Sequence, residues 1–528
     1  MSLPRFFSRV SDSIGPIMGT GEDVQDFLKA QVVRLEAPDD LELHQFHVAG
    51  FLLLVNLCAR LYPAIRLVAS ERIVAECRAL VLAINPSCDV FDGDEDGLVA
   101  AGSVSWACPA GIANSIVVAP NGWEVLIDLP DAESVHATNM LAALAGAAIA
   151  ASELFRKVFS AFLLRGRSGS EPGRFNVLTH APTSATLPDL PSDIALGRIH
   201  LVGAGAIGQA AAYALARVSA TGTIVVVDPE IVTLSNLQRY VLTMDHDIDT
   251  SKCTLIQRAF EKTMRIETVS VESPWSAGQP DIKGAEIVCV AVDTEDVRIG
   301  IQASLPRVVY NAWTQPRDIG WSRHEHFAVD PCLACLYWPT RPRPSYHENV
   351  AQSLRQPALR VLAYLIANLP VDSPLRAEQI PKLPQYPIPP DAASWSERSL
   401  LDDIAVRLGV DPPDLALWNG RLLADLYRDG VCGGALIGTQ AAEVPVEMAV
   451  PLVHQSALAG IMLATQLLVA AHPELRAHRS KSIEFRLDLL AGLPQIAARP
   501  RQRTPGCICG DRDYIGWYEK KWPPVSDS

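Results

Sequence analysis

The sequence predicts an α/β protein built around a Rossmann-like, mostly parallel sheet, and three observations carry that prediction. A short apolar run at 198–202 leads into Gly203-Ala204-Gly205-Ala206-Ile207-Gly208 and then into the Ala-rich stretch 209–218. A second apolar run, 223–227, ends on Asp228. A third, 286–292, ends on Asp293. Strand, glycine turn, helix, strand and acid in that order frame the phosphates and ribose of a nucleotide. Gly203, Gly205 and Gly208 let the backbone turn tightly and approach an anion, and the helix after them offers unpaired N–H groups and the positive end of its dipole.

The elements before this core also alternate between helix and strand. Residues 41–61 have helical apolar spacing, and 64–69 and 79–84 read as short buried strands. Residues 115–119 and 123–127 read as two strands joined by a turn at Asn121-Gly122. Residues 136–164 read as one long, buried, Ala-rich helix, and 175–178 as a short strand. Tracts 165–170 and 181–192 are rich in Gly, Ser, Thr and Pro, and the second marks a boundary. The proline-rich stretches 340–344 and 381–390 flank helical patterns near 350–369 and 394–409. The expected organisation is an N-terminal α/β domain at 1–180, a linker at 181–192, the nucleotide domain at 193–339, a mostly helical insertion at 340–429 with no cysteine, and the rest of the nucleotide domain at 430–528.

The chain has 528 residues, 49% hydrophobic and 20% charged, which suits three or four ordinary globular domains. A net charge of −14 argues against a general nucleic-acid or anionic-membrane binder. Residues 3–17 lack a continuous apolar core and carry Arg5, Arg9 and Asp12, unlike a signal peptide. The longest apolar stretches, 140–151 and 457–471, are short for a bilayer and suit buried helices. A cytoplasmic setting is expected, and the eleven cysteines are then reduced thiols, metal ligands or catalysts.

A glycine turn alone would fit a nicotinamide-dependent dehydrogenase. The residues after Asp228 point elsewhere: Asn236 and Arg239 come soon after it, then Lys252, and Arg298 comes shortly after Asp293. Hydride transfer has no use for such a set. Adenylation does, because cations neutralise a triphosphate and an Asp can hold Mg²⁺. At these residues the chain resembles the ubiquitin-activating-enzyme-like adenylating family, of ThiF/MoeB-type fold, which includes bacterial relatives that adenylate sulfur carriers. The resemblance covers about 199–336 and resumes around 431–471. It implies ATP as the nucleotide, Asp228 for the ribose, Arg239 and Lys252 for the phosphates, Asp293 for Mg²⁺, and Asn236 completing the shell. Two departures stand out. Tyr240 follows Arg239 where the family often has Gln, and Thr294 follows Asp293 where it often has Asn.

Cys332-Leu333-Ala334-Cys335 and Cys507-Ile508-Cys509 are two close thiol pairs, suited to a tetrahedral structural zinc. The family commonly carries two CxxC pairs at such places, so the CxC is a departure, and a redox dithiol is the alternative. Cys432, between Val431 and Gly433-Gly434, is the candidate nucleophile, since flanking glycines expose a thiol and favour its thiolate. In ubiquitin-type members a Cys in this region takes the ubiquitin-like protein as a thioester. The alternative is a small buried Cys in a turn. Cys253 and Cys289 read as core.

By the same resemblance, residues 1–180 would be an inactive adenylation half, as in the larger ubiquitin-activating enzymes. An unrelated accessory domain and a fused conjugating-enzyme domain are the alternatives, the last with Cys58, Cys77, Cys88 and Cys108 as its only candidate nucleophiles. The resemblance thus implies ATP-dependent adenylation of a ubiquitin-like protein's C-terminal carboxylate, thioester formation on Cys432 and transfer to a conjugating enzyme. Some bacterial antiviral operons encode such a set. Adenylation of a sulfur carrier or peptide without thioester, a non-catalytic scaffold and a dehydrogenase are the rivals. A homodimer is allowed, and neither nucleic acid nor membrane is expected as a partner.

Overall fold

The computed structural model describes residues 14, 24–93, 99–108, 114–129, 139–163, 172–183, 185–261, 263, 265–276, 278–280, 282–315, 318–339, 345–384, 386–408, 415–427, 451–492 and 497–523. Its larger compact unit holds two sheets, and the chain from Pro339 through the insertion forms a second unit.

In the first half of the larger unit the chain runs α1 (Val24–Lys29), β1 (Val32–Glu36), α2 (Gln45–Ala59), β2 (Ala64–Val68), α3 (Glu71–Ile84), β3 (Asp89–Asp92), β4 (Gly102–Trp106), β5 (Ile116–Asn121), β6 (Glu124–Ile127), α4 (Met140–Val158) and β7 (Gly173–Asn176). The strands lie in the order β3-β2-β1-β4-β5-β6-β7. The first five pair in parallel, and β6 and β7 antiparallel. The hairpin turn falls at Gly122-Trp123, one residue later than expected, because Asn121 still pairs with Glu124. Helix α4 starts where the Asn139 side chain accepts the Leu141 N–H at 2.9 Å, and it ends on Arg156 and Lys157, which suit the negative end of its dipole.

One expected strand is a helix. The run at 79–84 belongs to α3, whose buried residues Ile73, Cys77, Val81 and Ile84 recur at three and four positions. That is a helical stripe, and the six-residue window of apolar residues hid its period.

The second half runs β8 (Ile194–Val202), α5 (Ala206–Leu215), β9 (Ala220–Val227), α6 (Lys252–Glu261), β10 (Ile266–Val271), β11 (Ile287–Val290), α7 (Glu295–Ala303), β12 (Val308–Gln315), β13 (Asp318–His324) and α8 (Leu333–Tyr337). The insertion unit carries α9 (Tyr346–Ser353), α10 (Ala358–Ala367), α11 (Leu400–Leu408) and α12 (Leu423–Asp425). It has its own core around Tyr364, Trp395 and Trp418. There Arg360 is buried against Asp403 and the carbonyls of Arg398 and Ser399. The helical pattern near 350–369 divides into two helices at Pro357, which caps α10 and cannot continue α9.

The chain returns to the larger unit with α13 (Val453–Ala471), α14 (Pro473–His478), β14 (Glu484–Leu487), β15 (Ala497–Arg499) and α15 (Arg512–Lys521). The second sheet has the order β10-β9-β8-β11-β12-β13-β14-β15, parallel from β10 to β12 and antiparallel beyond. Numbered from its own first strand, this is 3-2-1-4-5-6-7 with one strand added, the same order as the first sheet.

Helix α4 packs on the first sheet and α2, α13 packs on the second sheet and α5, and α4 and α13 pack on each other. The core is therefore a helical layer between two sheets. Helix α13 spans 19 residues, more than the apolar stretch read from sequence, and by length and composition alone could cross a membrane. It is buried almost throughout, with Gly460 so close to α5 that a Cβ there would stand 2.3 Å from the Ile207 carbonyl oxygen. It is a core helix.

Candidate functional site

The glycine turn joins β8 to α5 at the point where the parallel order reverses, between β8 and β11. This is the switch-point crevice where open α/β sheets bind ligands. Gly203 has φ +96°, and a Cβ there would stand 2.6 Å from the Ala291 carbonyl oxygen on the neighbouring strand's exit. A Cβ on Gly208 would meet the Gly203 carbonyl oxygen at 1.9 Å. These two glycines are required by close approach. Helix α5 begins after Gly205 without a side-chain cap, so its first-turn N–H groups face the crevice mouth uncapped by any side chain.

Asp228 follows β9 and is 7% exposed. One carboxylate oxygen accepts the Ala204 N–H at 2.7 Å and the other the Glu230 N–H at 2.9 Å. The acid thus fastens the glycine turn to the end of β9. A carboxylate has about four acceptor positions, so two bonds leave room for ribose hydroxyls. Burial pushes its pKa up, against the pull of Lys252 and of the two backbone N–H donors.

Asn236 closes a capping box on the short 3-10 turn Leu234–Asn236, its side-chain oxygen accepting the Thr233 N–H at 2.9 Å. Its carbonyl accepts the N–H groups of Arg239 and Tyr240. Asn236 therefore shapes the segment that carries Arg239. The Arg239 Nε is buried without a partner among the described residues, and its guanidinium carbon lies 5.9 Å from the centre of the Tyr240 ring.

Lys252 opens α6 and is 3% exposed. Its ammonium bonds Glu230 and, at 3.1 Å, the Tyr240 hydroxyl, and it stands 5.1 Å from the ring centre. Burial works against its charge, but Tyr240, Glu230 and Asp228 outweigh that and raise its pKa above the ordinary lysine value. Tyr240 is the residue that sequence reasoning noted only as a departure. Both cations stand within 5.9 Å of its ring centre, and its hydroxyl would be 3.4 Å from a Cβ on Gly205.

Asp293 lies past the end of β11, exposed. Arg298, five residues on, is 3% exposed and is not a phosphate contact: it bonds the carbonyls of Val292 and Ala312 and the Asn311 side chain. It holds the backbone beside Asp293. Asp228, Arg239, Lys252 and Asp293 thus all follow the C-terminal ends of β8's neighbours, around one glycine turn.

The four-cysteine cluster is separate. Cys332 caps α8, Cys335 lies in it, and Cys507 and Cys509 flank the start of the tight 3-10 turn Ile508–Gly510. All four are buried, their sulfurs lie within 4.8 Å of one another, and the shortest gaps are 3.6 Å between Cys332 and Cys507 and 3.4 Å between Cys335 and Cys509. A zinc–thiolate distance of about 2.3 Å puts tetrahedral edges near 3.8 Å, so the donor set fits zinc. The 3-10 turn explains how a CxC does the work of a CxxC. Hydrogen bonds from Cys332 and Cys507 pull Cys335 down to about 6, while the same cluster pushes Cys332 up.

Cys432 lies outside the described residues, as do Arg5 and Arg9. Cys58, Cys77, Cys88 and Cys108 are all buried, and burial drives the last three up to about 12. None is a poised nucleophile, which removes the four candidates of a fused conjugating domain. Cys253 and Cys289 are core residues, with burial raising both to about 12.

A parallel α/β sheet with a strand-end acid and two cations around a glycine turn defines a nucleotide-binding protein of the adenylating kind. The chain belongs to the ThiF family, whose model matches residues 187–373. Over nearly its whole length it is similar to the uncharacterized protein y4jF of Sinorhizobium fredii (strain NBRC 101917 / NGR234), with 31% identity across 99% of this chain and 98% of that protein. Among solved structures, E. coli MccB with ATP is similar at 12% identity and TM-score 0.34, over 60% of this chain and 67% of that one. PaaA is similar at 19% identity and TM-score 0.21, over 24% of this chain and 40% of its own.

Proposed function

We propose that this ThiF-family chain adenylates the C-terminal carboxylate of a ubiquitin-like protein and then takes the acyl group on Cys432 for transfer to a conjugating enzyme. The observation that carries the reading is the pair of cations, Arg239 and Lys252, both close to Tyr240 beside the glycine turn. A dehydrogenase would leave both without a role. Nucleotide phosphates lie along the turn and the first turn of α5, and Asp228 takes the ribose hydroxyls. The carboxylate oxygen attacks the α-phosphorus, the bond to the β-phosphate breaks, and pyrophosphate leaves. Arg239 and Lys252 stabilise the charge that gathers on the phosphates. For Lys252 this means exchanging Glu230, whose side chain is 58% exposed, for the triphosphate. Asp293 would hold Mg²⁺, which would neutralise charge on the phosphates when bound. The Cys432 thiolate then attacks the acyl carbon and AMP leaves. In this reading the first sheet is an inactive adenylation half, and zinc on Cys332, Cys335, Cys507 and Cys509 staples the C-terminal tail to the core.

The test is a carrier-transfer assay with ATP, Mg²⁺ and ubiquitin-like partners ending in Gly, read on a non-reducing gel for wild type and Cys432→Ala. A thiol-sensitive adduct is expected in wild type only. ATP–pyrophosphate exchange intact in both, without an adduct, would make the reaction adenylation of a carrier or peptide and Cys432 a structural residue.

A further inference from the structure

Arg60, at the C-terminal end of α2, belongs to the first half of the larger unit, yet its guanidinium serves the second. It is fully buried, at 0% exposure. Nη1 donates to the Leu237 carbonyl at 2.5 Å, Nη2 to the Thr243 carbonyl at 2.8 Å, and Nε to the Asn56 side-chain oxygen at 2.9 Å. Asn56 in turn donates from Nδ2 to the Val241 carbonyl at 3.0 Å. Three carbonyls of one short segment, 237–243, are thereby gripped by two side chains of one helix. That segment carries Arg239 and Tyr240. Its other side is held from α5, where the Gln209 side-chain oxygen accepts the Leu242 N–H at 3.2 Å and the Thr243 hydroxyl at 3.1 Å.

A buried guanidinium is costly unless its donors are satisfied. Burial lowers the Arg60 pKa to about 9, with Asp247 acting against the fall, so the group is charged at neutral pH. A charge held there is matched by carbonyl dipoles of a single loop, and so it fixes that loop's shape. A surface arginine would not do this, and neither would a lysine, whose point charge cannot reach three acceptors in a plane.

We infer that Arg60, with Asn56, is a positioning residue for the nucleotide site: the first half clamps 237–243 so that Arg239 and Tyr240 are preorganised for a nucleoside triphosphate. The inference rests on the proposed function only for what Arg239 meets. Preorganised cations bind phosphate without first losing loop entropy, so loosening the clamp weakens ATP binding through Arg239.

The experiment is a double-mutant cycle on the full chain. ATP affinity is measured by calorimetry with Mg²⁺ and no acceptor protein, for wild type, Arg60→Met, Arg239→Ala and the double variant, with folding checked by circular dichroism. Arg60→Met is expected to weaken ATP about tenfold in the wild-type background and less than about twofold where Arg239 is already absent, since coupled residues are not additive. Arg60→Lys is expected to recover only part of the loss. Equal losses in both backgrounds would mean general loosening and overturn the inference, as would a folded Arg60→Met that binds like wild type. Should Arg60→Met not fold, Asn56→Ala removes the Asn56–Val241 bond and the acceptor of Arg60 Nε but keeps the Arg60 bonds to Leu237 and Thr243, and is put through the same cycle with the same expected coupling. A wild type that binds no ATP overturns the proposed function and this inference together. ATP binding without exchange to any acceptor strikes only at the acceptor, and the cycle still decides for or against Arg60.

Discussion

The two sheets of the larger unit share one strand order and differ at the ends of the same strands. In the first, Glu36 ends β1 and pairs with Val68 and Ser105; in the second, Val202 ends β8 and pairs with Val227 and Val290. Beyond those matched positions the chemistry diverges. After Val202 come Gly203-Ala204-Gly205, and after Glu36 come Ala37-Pro38-Asp39-Asp40. Asp228 follows Val227, whereas Ala69 follows Val68. Three residues past the strand partner stands Asp293 in one sheet and the buried Cys108 in the other. Where the second sheet has glycines and an acid, the first has proline, two acids and an alanine. There Glu36 accepts from Arg34 at 2.5 Å and from Ser105 at 3.2 Å. The architecture is carried by apolar strands and helices, which both halves keep, while the glycine turn and the acids Asp228 and Asp293 at the strand ends belong to the second sheet.

Two glycines test that separation most severely. Gly208→Ala drives a Cβ into the Gly203 carbonyl, whereas Gly50→Ala drives one to 2.3 Å from Trp106 of the first sheet. Each is expected to cost about 1–3 kcal/mol or more of stability by overpacking. Only Gly208→Ala should also abolish ATP binding; folded Gly50→Ala should keep the wild-type affinity within about twofold. An ATP titration that ranks them the other way would break the comparison.

Next in size is the staple, which only the second half carries. Metal analysis should find one zinc per chain. Because structural zinc sites bind with apparent energies of about 10–16 kcal/mol, a chelator or Cys509→Ser should lower the melting temperature and expose α15 to protease. Zinc-free protein with an unchanged melting curve would sink the assignment.

A dependence on pH is expected as well. His180 accepts the Trp321 indole N–H at 2.9 Å, and His454 is fully buried beside Phe155. Burial lowers both to about 3, with Arg323 adding to the effect at His180. The unfolded chain binds these protons from about pH 6.5 and the native state only near 3. Stability is therefore complete above 6.5 and falls as pH drops, by up to about 1.4 kcal/mol per pH unit per histidine. Urea midpoints that stay flat between pH 6.5 and 4 would contradict this.

Much of the site was legible because it is local. A glycine turn between a strand and a helix, an acid at a strand end and a close thiol pair each show within a dozen residues. The fold was legible where strands are short and bounded by turn residues, and not where α3 packs apolar residues densely enough to resemble a strand. Arg298 illustrates the limit at the site: the sequence places it five residues after Asp293, and only the fold shows it buried and bonded to Val292, Asn311 and Ala312. Tyr240 is the reverse case, a departure in the motif that the fold places against Lys252.

By itself the sequence determined the Rossmann-like frame of strand, glycine turn and helix, since backbone freedom at Gly203 and the apolar runs around it are properties of residues in order. Only the tertiary structure decided that the two sheets share one strand order, that a 3-10 turn brings the CxC pair against the CxxC pair, and that Arg60 reaches across to the loop of Arg239. Those facts depend on pairing between residues far apart in the chain, where strand register and buried polar bonds, rather than local preference, set which groups meet.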